Sequence, residues 1–316
     1  MMVIEDNFTK KLDYNTFIAL GSFDGIHRGH QKLIEQAVKL AKKYDSKSMV
    51  LTFKEHPLNT INKEAAPKII LDNKMKSEIL KKQGIDIVNY INFNKDYMEM
   101  SPEEFITNII RFYNAKGIVV GFNFRFGYKN LGDVGLLKKL SEKLNFKLKI
   151  VEPVTYKNEV VSSSRIRHAI AQEGNMRKAN EMLSKCYTLR GVVKKGKQLG
   201  RTWGFPTVNL SYDNKYILPR GGVYYTLVEY HNNVYQGITN VGYNPTLDDG
   251  KLSIETHMLG FDKDIYGAKI AIKFIKKIRE EKKFASTDEL ASQLEKDKNY
   301  ALSQKYKLNC DKLIYK

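Results

Sequence analysis

The stretch "GSFDGIHRGH", residues 21–30, sets two imidazoles three residues apart among three glycines, behind the apolar run "TFIAL". Gly21, Gly25 and Gly29 allow a sharp turn and a close approach of backbone to a ligand. A helix that starts here offers unsatisfied N–H groups and the positive end of its dipole to a phosphate. His27 and His30, at i and i+3, fall on one side of its first turn. There an imidazole donates to phosphate oxygens as charge builds at phosphorus. A zinc site would need a third ligand, and neither HExxH nor CxxC spacing is present. Two histidines that merely cap a helix would not need three glycines. Phosphate chemistry is therefore the favoured reading, ahead of zinc and of structural histidines.

A second constellation lies at "KKGKQLGRTWGFPTVNL", residues 194–210, where four basic residues interleave with three glycines. It lacks Walker A spacing, yet a basic glycine loop containing Gly196, Lys197 and Gly200 can wrap phosphates. Thr207 and Asn209 stand two apart in an extended run and project to one side. Both offer neutral oxygens suited to Mg2+, which takes few protein ligands and completes its shell with substrate phosphates. Taken alone, this stretch fits a surface hairpin held by Pro206 about as well.

The elements that must position these groups change character along the chain. In the first half the strand-like runs "TFIALGSF", "SMVLTF", "IDIVNYINF", "GIVVGF" and "KLKIVEPV" alternate with helical patterns. Leu33, Ala37, Leu40 and Ala41 share one helical face, and Ser101-Pro102-Glu103-Glu104 is a capping box. Such alternation predicts a parallel sheet covered by helices, with ligands beyond the carboxyl ends of its strands. After "SSSRIRHAIAQEG" and a short helix, Thr188 to Arg279 reads as successive strands, including "TLRGVVKK", "VYYTLVEY", "VYQGITNV", "LSIETHML" and "KIAIKFIKKIR". That pattern predicts a small antiparallel barrel, with a hairpin tip at His231-Asn232-Asn233 and a final helix from Ser286 towards Tyr306. The expected fold is a Rossmann-like α/β domain at 1–183 followed by a barrel domain at 184–316.

With 316 residues the chain is long enough for two cores, and 42% apolar content makes it globular. No apolar run is long enough to span a bilayer, and the start lacks a signal peptide's apolar core. Cys186 and Cys310 stand far apart, so a cytoplasmic enzyme is expected. The net charge of +18 comes chiefly from lysines scattered over nearly every segment. Such a balance can mean nucleic acid, an anionic membrane or small polyanions such as ATP. The dispersed lysine argues mildly against a nucleic-acid surface, for which arginine is the preferred fork, and a solvated lysine-rich face is the favoured reading.

"GxFDGxHxGH" resembles the signature of the HxGH nucleotidyltransferases, and within them the bacterial bifunctional riboflavin kinase/FAD synthetases. "TFKEHP", "VVGFNFRFG" and "VVSSSRIR" extend the likeness through the first half, while "GFPTVN", "GVYY", "NVGYNPT" and "IETHMLGFDKDIYG" follow in the family's order through the second. The resemblance implies that Gly21, Ser22, Phe23, Asp24, Gly25 and Asn123 line the ATP and FMN site. His27 and His30 would hold the ATP phosphates, and Ser163, Ser164 and Arg167 would form a loop closing on them. It implies Glu255 as the base that takes riboflavin's terminal hydroxyl proton, and Arg279 and Phe284 as contacts to flavin or nucleotide. Asn123 stands where many members carry aspartate, Glu55 where many carry proline, Ser164 where many carry threonine, and Val208 where "GFPTAN" has alanine. Expected are FMN from riboflavin and ATP in the second domain, and FAD from FMN and ATP in the first, with Mg2+. The partners are these small molecules; no nucleic acid or membrane is expected, and the oligomeric state is open. The competing readings are an HxGH transferase with another phosphorylated acceptor and a basic nucleic-acid-binding module. The second would show steep salt dependence and no flavin turnover.

Overall fold

The apolar runs of the first half form parallel strands, in a computed structural model that describes residues 1–196, 204–243 and 252–304. They are β2 (Thr16–Leu20), β3 (Lys47–Phe53), β4 (Ile87–Ile91), β5 (Ala115–Gly121) and β6 (Lys147–Val151), joined by an edge strand β1 (Met2–Ile4) that was not expected. The sheet order is β1-β4-β3-β2-β5-β6. β2 and β4 are buried along their whole length, which is why both are near-continuous apolar runs. The exception, Asn89 in β4, is fully buried but exchanges hydrogen bonds with the Asp6 backbone and donates to the Tyr113 hydroxyl. At the far edge β6 alternates half-buried Leu148 and Ile150 with exposed Lys147 and Lys149, charges that discourage edge pairing.

Between the strands run α1 (Arg28–Lys43), the short α2 (Leu58–Ile61), α3 (Asn73–Lys82), the short α4 (Lys95–Glu99), α5 (Pro102–Tyr113) and α6 (Val134–Lys143). They cover both faces of the sheet. One core joins Leu33, Ile34 and Ala37 of α1 and Met75 and Leu80 of α3 to Ala19, Val50 and Val119. The other joins Phe105, Ile106 and Ile109 of α5 and Leu137 and Leu140 of α6 to Ile18, Met49 and Ile118. The capping box at α5 is present: Ser101 accepts from the Glu104 N–H at 3.2 Å, with Pro102 in the first turn. A small hairpin, β7 (Thr155–Tyr156) with β8 (Glu159–Val160), follows β6.

The second unit opens with α7 (Ser163–Ala171) and α8 (Met176–Leu183). Six antiparallel strands then close a barrel: β9 (Tyr187–Lys194), β10 (Thr207–Ser211), β11 (Gly222–Tyr230), β12 (Asn233–Tyr243), β13 (Leu252–Met258) and β14 (Lys269–Arg279), ordered β10-β13-β12-β11-β14-β9. The β11–β12 turn is the expected tip, with Tyr230 paired to Asn233 and His231 at φ 50°. Inside the barrel, Thr226, Thr239 and Thr256 are fully buried and satisfy one another through hydroxyl contacts of 2.8 and 2.9 Å. The final helix spans Thr287–Ser303, capped by Ser286 as expected; Tyr306 and Cys310 lie outside the described residues.

By packing, the chain divides into Met1–Ser162 and Ser163–Lys316, twenty-one residues before the change of composition at 183/184. The helices α7 and α8 account for the difference. Asn180 of α8 donates to the Phe274 carbonyl of β14 and accepts from the Tyr187 N–H at the start of β9, so α8 is part of the barrel's cover. A helical pattern shows which face is apolar but not which domain that face joins.

Candidate functional site

The turn after β2 is held by its side chains rather than by glycine alone. Phe23 and Ile26 both have positive φ, 48° and 44°, which is strained for an aromatic and a β-branched residue. Both side chains are in the core, fully buried among the α1 and α3 residues. Gly25, at φ 85°, supplies the one conformation between them that a side chain would resist. Asp24 is buried too, and its carboxylate accepts from the Ile70 N–H at 3.0 Å and the Leu71 N–H at 3.1 Å. Of the five expected ligand-site residues here, Phe23 and Asp24 thus spend their side chains on anchoring the turn. Ser22 is exposed, and Gly21 and Gly25 contribute backbone only.

His27 is the N-cap of α1, and its Nδ1 accepts from the His30 N–H at 3.3 Å. The capping role, set against phosphate contact in the sequence, is thus filled by this ring. Burial lowers the His27 pKa to about 4, so the imidazole is neutral in ordinary conditions. With Nδ1 accepting, the proton of that neutral ring sits on Nε2, which is left as a donor. The His30 ring stacks on it at 3.6 Å between centroids and 17° between planes, as the i, i+3 spacing implied. Gly29 belongs to this arrangement, since a Cβ there would come within 3.1 Å of the His27 ring. The pair stands at the carboxyl end of β2, where the strand order turns from β3 to β5, the place where open parallel sheets hold ligands. Asn123 is exposed in the turn after β5, the neighbouring strand. Ser163, Ser164 and Arg167 occupy the first turns of α7, with Ser163 and Arg167 four apart on one helical face.

The barrel's site is built by strand register. Thr207 pairs with His257, and Asn209 with Glu255, across β10 and β13. Glu255 pairs on its other side with Asn240 of β12, and Asn209 with Lys194 of β9. Directly paired residues share a face, so Lys194, Asn209, Glu255 and Asn240 form one row across four strands. Their neighbours Val208, Leu210, Ile254 and Thr256 take the other face; all but Val208 are buried, so the row lies on the outer face of the barrel. Gly196 fits this row as well, since a Cβ on it would strike the Asn209 amide at 2.1 Å. Lys197 and Gly200 lie outside the described residues. Beside Thr207 opens a cavity of about 400 Å3, lined by Pro206, Val208 and the segment Phe261–Tyr266.

Arg279 has firm protein partners. Its Nε and Nη2 donate to the buried Asp297 of the final helix at 3.0 and 2.8 Å, and its guanidinium lies 5.7 Å from the Phe284 ring. The structure thus brings Arg279 and Phe284 together, around a helix clamp. Among the described residues no three His, Cys, Asp or Glu side chains gather as a metal-holding cluster. Thr207 and Asn209, the residues expected at Mg2+, offer a hydroxyl and an amide oxygen of the kind that ion takes.

Two residues beside these sites carried little signal in the sequence. Asn240 sits within the quoted "NVGYNPT" stretch, but only register reveals it as the partner of Glu255. His257 holds the Pro206 carbonyl with Nδ1 at 2.8 Å and meets the Phe205 ring edge-on at 5.3 Å; burial lowers its pKa, so it acts as a neutral donor to the turn ahead of Thr207.

Residues 9–165 match the family model described as FAD synthetase, and residues 183–304 the one described as riboflavin kinase. A bifunctional riboflavin kinase/FMN adenylyltransferase of Bacillus subtilis (strain 168) is 36% identical, over 93% of this chain and 93% of its own length. One of the same name from Listeria monocytogenes is 37% identical, over 90% of this chain and 91% of its own. A solved Streptococcus pneumoniae structure, named a macrolide-efflux protein, has a TM-score of 0.88 and 31% identity, covering 96% of this chain and 99% of that one. No helix among the described residues is long and apolar enough to cross a membrane.

Proposed function

The chain belongs to the bifunctional riboflavin kinase/FMN adenylyltransferase family, and on that premise we propose that the turn at residues 21–30 carries adenylyl transfer and the row around Glu255 carries phosphorylation. The enzyme phosphorylates riboflavin to FMN, releasing ADP, and adenylylates FMN to FAD, releasing pyrophosphate.

In the first reaction the terminal hydroxyl of riboflavin attacks the γ-phosphorus of ATP. Glu255 takes the hydroxyl proton, and Asn209 and Asn240 flank it in register. Thr207 and Asn209 would hold Mg2+ arriving with ATP, and the ion supplies charge neutralisation at the phosphates. Gly196, beside Asn209 in the row, contributes to the phosphate side, and the cavity beside Thr207 takes the rest of the nucleotide. Arg279 and Phe284 border the flavin.

In the second reaction a phosphate oxygen of FMN attacks the α-phosphorus of ATP. Nothing has to be deprotonated, so the site's work is to place two polyanions together and to meet the charge that builds in the transition state. The observation that carries this assignment is the stacked His27–His30 pair at the head of α1, with His27 neutral and its Nε2 left to donate. The first N–H groups of α1 add their dipole. Asn123, in the turn after β5, lines the site. ATP use in both steps supports a cytoplasmic enzyme with small molecules as its partners.

Incubation of the full chain with riboflavin, ATP and Mg2+, followed by chromatography, tests the reading: FMN appears first and FAD follows. FMN without FAD would remove the assignment of the first site, and no FMN at all would remove the second.

A further inference from the structure

We propose that Lys76, an ammonium buried behind the turn at residues 21–30, positions that turn for the triphosphate and supplies it with positive charge. The proposal rests on reading the turn as the adenylyl-transfer site. Lys76 belongs to α3, whose other deeply buried residues, Met75 and Leu80, are apolar. It is only 5% exposed, and a methionine would satisfy the helix's packing there. Its Nζ instead donates to the Ser22 carbonyl at 3.1 Å. The same carbonyl accepts from the Thr52 hydroxyl of β3 at 2.8 Å, so two elements of the domain converge on one oxygen of the loop.

The consequence follows from the planar trans peptide. With the Ser22 carbonyl pinned inward from two sides, the Phe23 N–H on the same peptide is directed away from Lys76, to the exposed side of the turn. A backbone N–H there is a donor for an anion, and the ammonium behind it adds a fixed charge that the low dielectric of the core does not screen away. The groups facing Lys76 agree with this placement. The Asp24 carboxylate of the turn and the Asp72 carboxylate at the cap of α3 act on it, and the Tyr90 ring of β4 lies 5.7 Å from Nζ. Asp24 is occupied with the Ile70 and Leu71 N–H groups, and the Tyr90 hydroxyl with Ser77 and the Asn73 carbonyl. Burial lowers Lys76 to about 8, against the raising effect of both carboxylates, so the charge is present at neutral pH and is lost just above it.

The test uses the full chain, with Lys76→Met and Lys76→Arg, measuring FAD formation from supplied FMN across pH, with FMN formation from riboflavin as an internal control. Lys76→Met should lower kcat for FAD formation ~10–100-fold, the range seen when a group that orients a site residue is removed, with a smaller change in KM for ATP. Its thermal midpoint should fall, because Asp24 and Asp72 lose the cation they face, so rates are compared at temperatures where both variants are folded. The wild-type loss of rate above about pH 8 should be absent in Lys76→Met. Lys76→Arg, charged throughout, should recover most of the rate and show no such limb. Overturning the proposal would be a wild-type kcat in Lys76→Met with the alkaline limb intact, or an equal loss of rate in Lys76→Arg under conditions where it is folded. His27→Asn separates the two levels: if it too leaves FAD formation unchanged, the reading of the turn has failed rather than the role of Lys76.

Discussion

The two proposed sites are assembled on opposite principles. The adenylyl-transfer site is local: ten consecutive residues make the turn, the cap and the stacked imidazoles, and the surrounding sheet and helices serve to hold that turn still. The kinase site is distributed, since Asn209, Asn240 and Glu255 come from three different strands and meet only because the barrel's register aligns them. A local site depends on backbone geometry and is supported by core side chains such as Phe23, Ile26 and Lys76. A distributed site depends on pairing, and a one-residue slip of β13 would carry Glu255 to the other face. The difference also bears on how each reaction works. Adenylyl transfer needs donors already aimed at charge, which a strained turn and a helix end provide, while phosphorylation needs a base, which one strand residue between two amides provides.

The largest expected effect breaks the distributed site. Glu255→Gln preserves size and register but removes the base, so FMN formation from riboflavin should fall ~10²–10⁴-fold, while supplied FMN still becomes FAD. Chromatographic product analysis checks both halves at once. At the local site, His27→Asn is sharper than alanine, because asparagine is itself a strong N-cap and leaves α1 capped while removing the Nε2 donor. FAD formation should fall ~10²–10³-fold with FMN accumulating, and His30→Ala should follow the same direction. A fully active His27→Asn would reduce His27 to its capping role.

How much of this was legible in the sequence follows the same division. The turn, its two histidines and the helix after it were visible in ten residues, because their chemistry and their neighbours are contiguous. The alternation of strands and helices in the first half gave the parallel sheet, and the run of strands after Thr188 gave the barrel. The edge strand Met2–Ile4 was hidden, being three residues long and mostly exposed. Glu255 carried no local signal and rested on resemblance, since a lone acid in a strand is ordinarily just solvent-facing. Asn240 and His257 needed register, and Lys76 looked like any lysine in a lysine-rich chain until its burial was known. Phe23 and Asp24, expected at the ligand, are anchors by their side chains, because a turn with positive φ at Phe23 and Ile26 needs buried groups to hold it.

Two smaller effects sharpen the comparison through stability. Asp297→Ala strips the partner from Arg279 and frees the final helix from β14, so it should destabilise the barrel unit by about 3 kcal/mol, read in a denaturant titration of kinase activity. FAD formation from FMN should be left nearly unchanged.

The smallest effect lies at His27. Its folded-state pKa of about 4 is below the unfolded value, so the unfolded chain binds more protons between those limits. The stability that results is present above about pH 6.5 and is lost as pH falls towards 4, amounting to about 1 kcal/mol between pH 7 and 5.5. Hydrogen exchange of the α1 amides, corrected for intrinsic rates, should show this loss in the wild type and not in His27→Asn.

The central proposal is that one chain holds two separately built sites, so that FMN made at one can be used at the other. Mixing Glu255→Gln with His27→Asn in riboflavin, ATP and Mg2+ tests it most directly. Each variant alone should yield at most traces of FAD from riboflavin. The mixture should form FAD at a rate that rises with the concentration of both, as FMN made by His27→Asn is adenylylated by Glu255→Gln. A mixture no better than either variant alone, with FMN present in solution and no FAD made from it, would contradict the claim and mean that the two reactions share machinery.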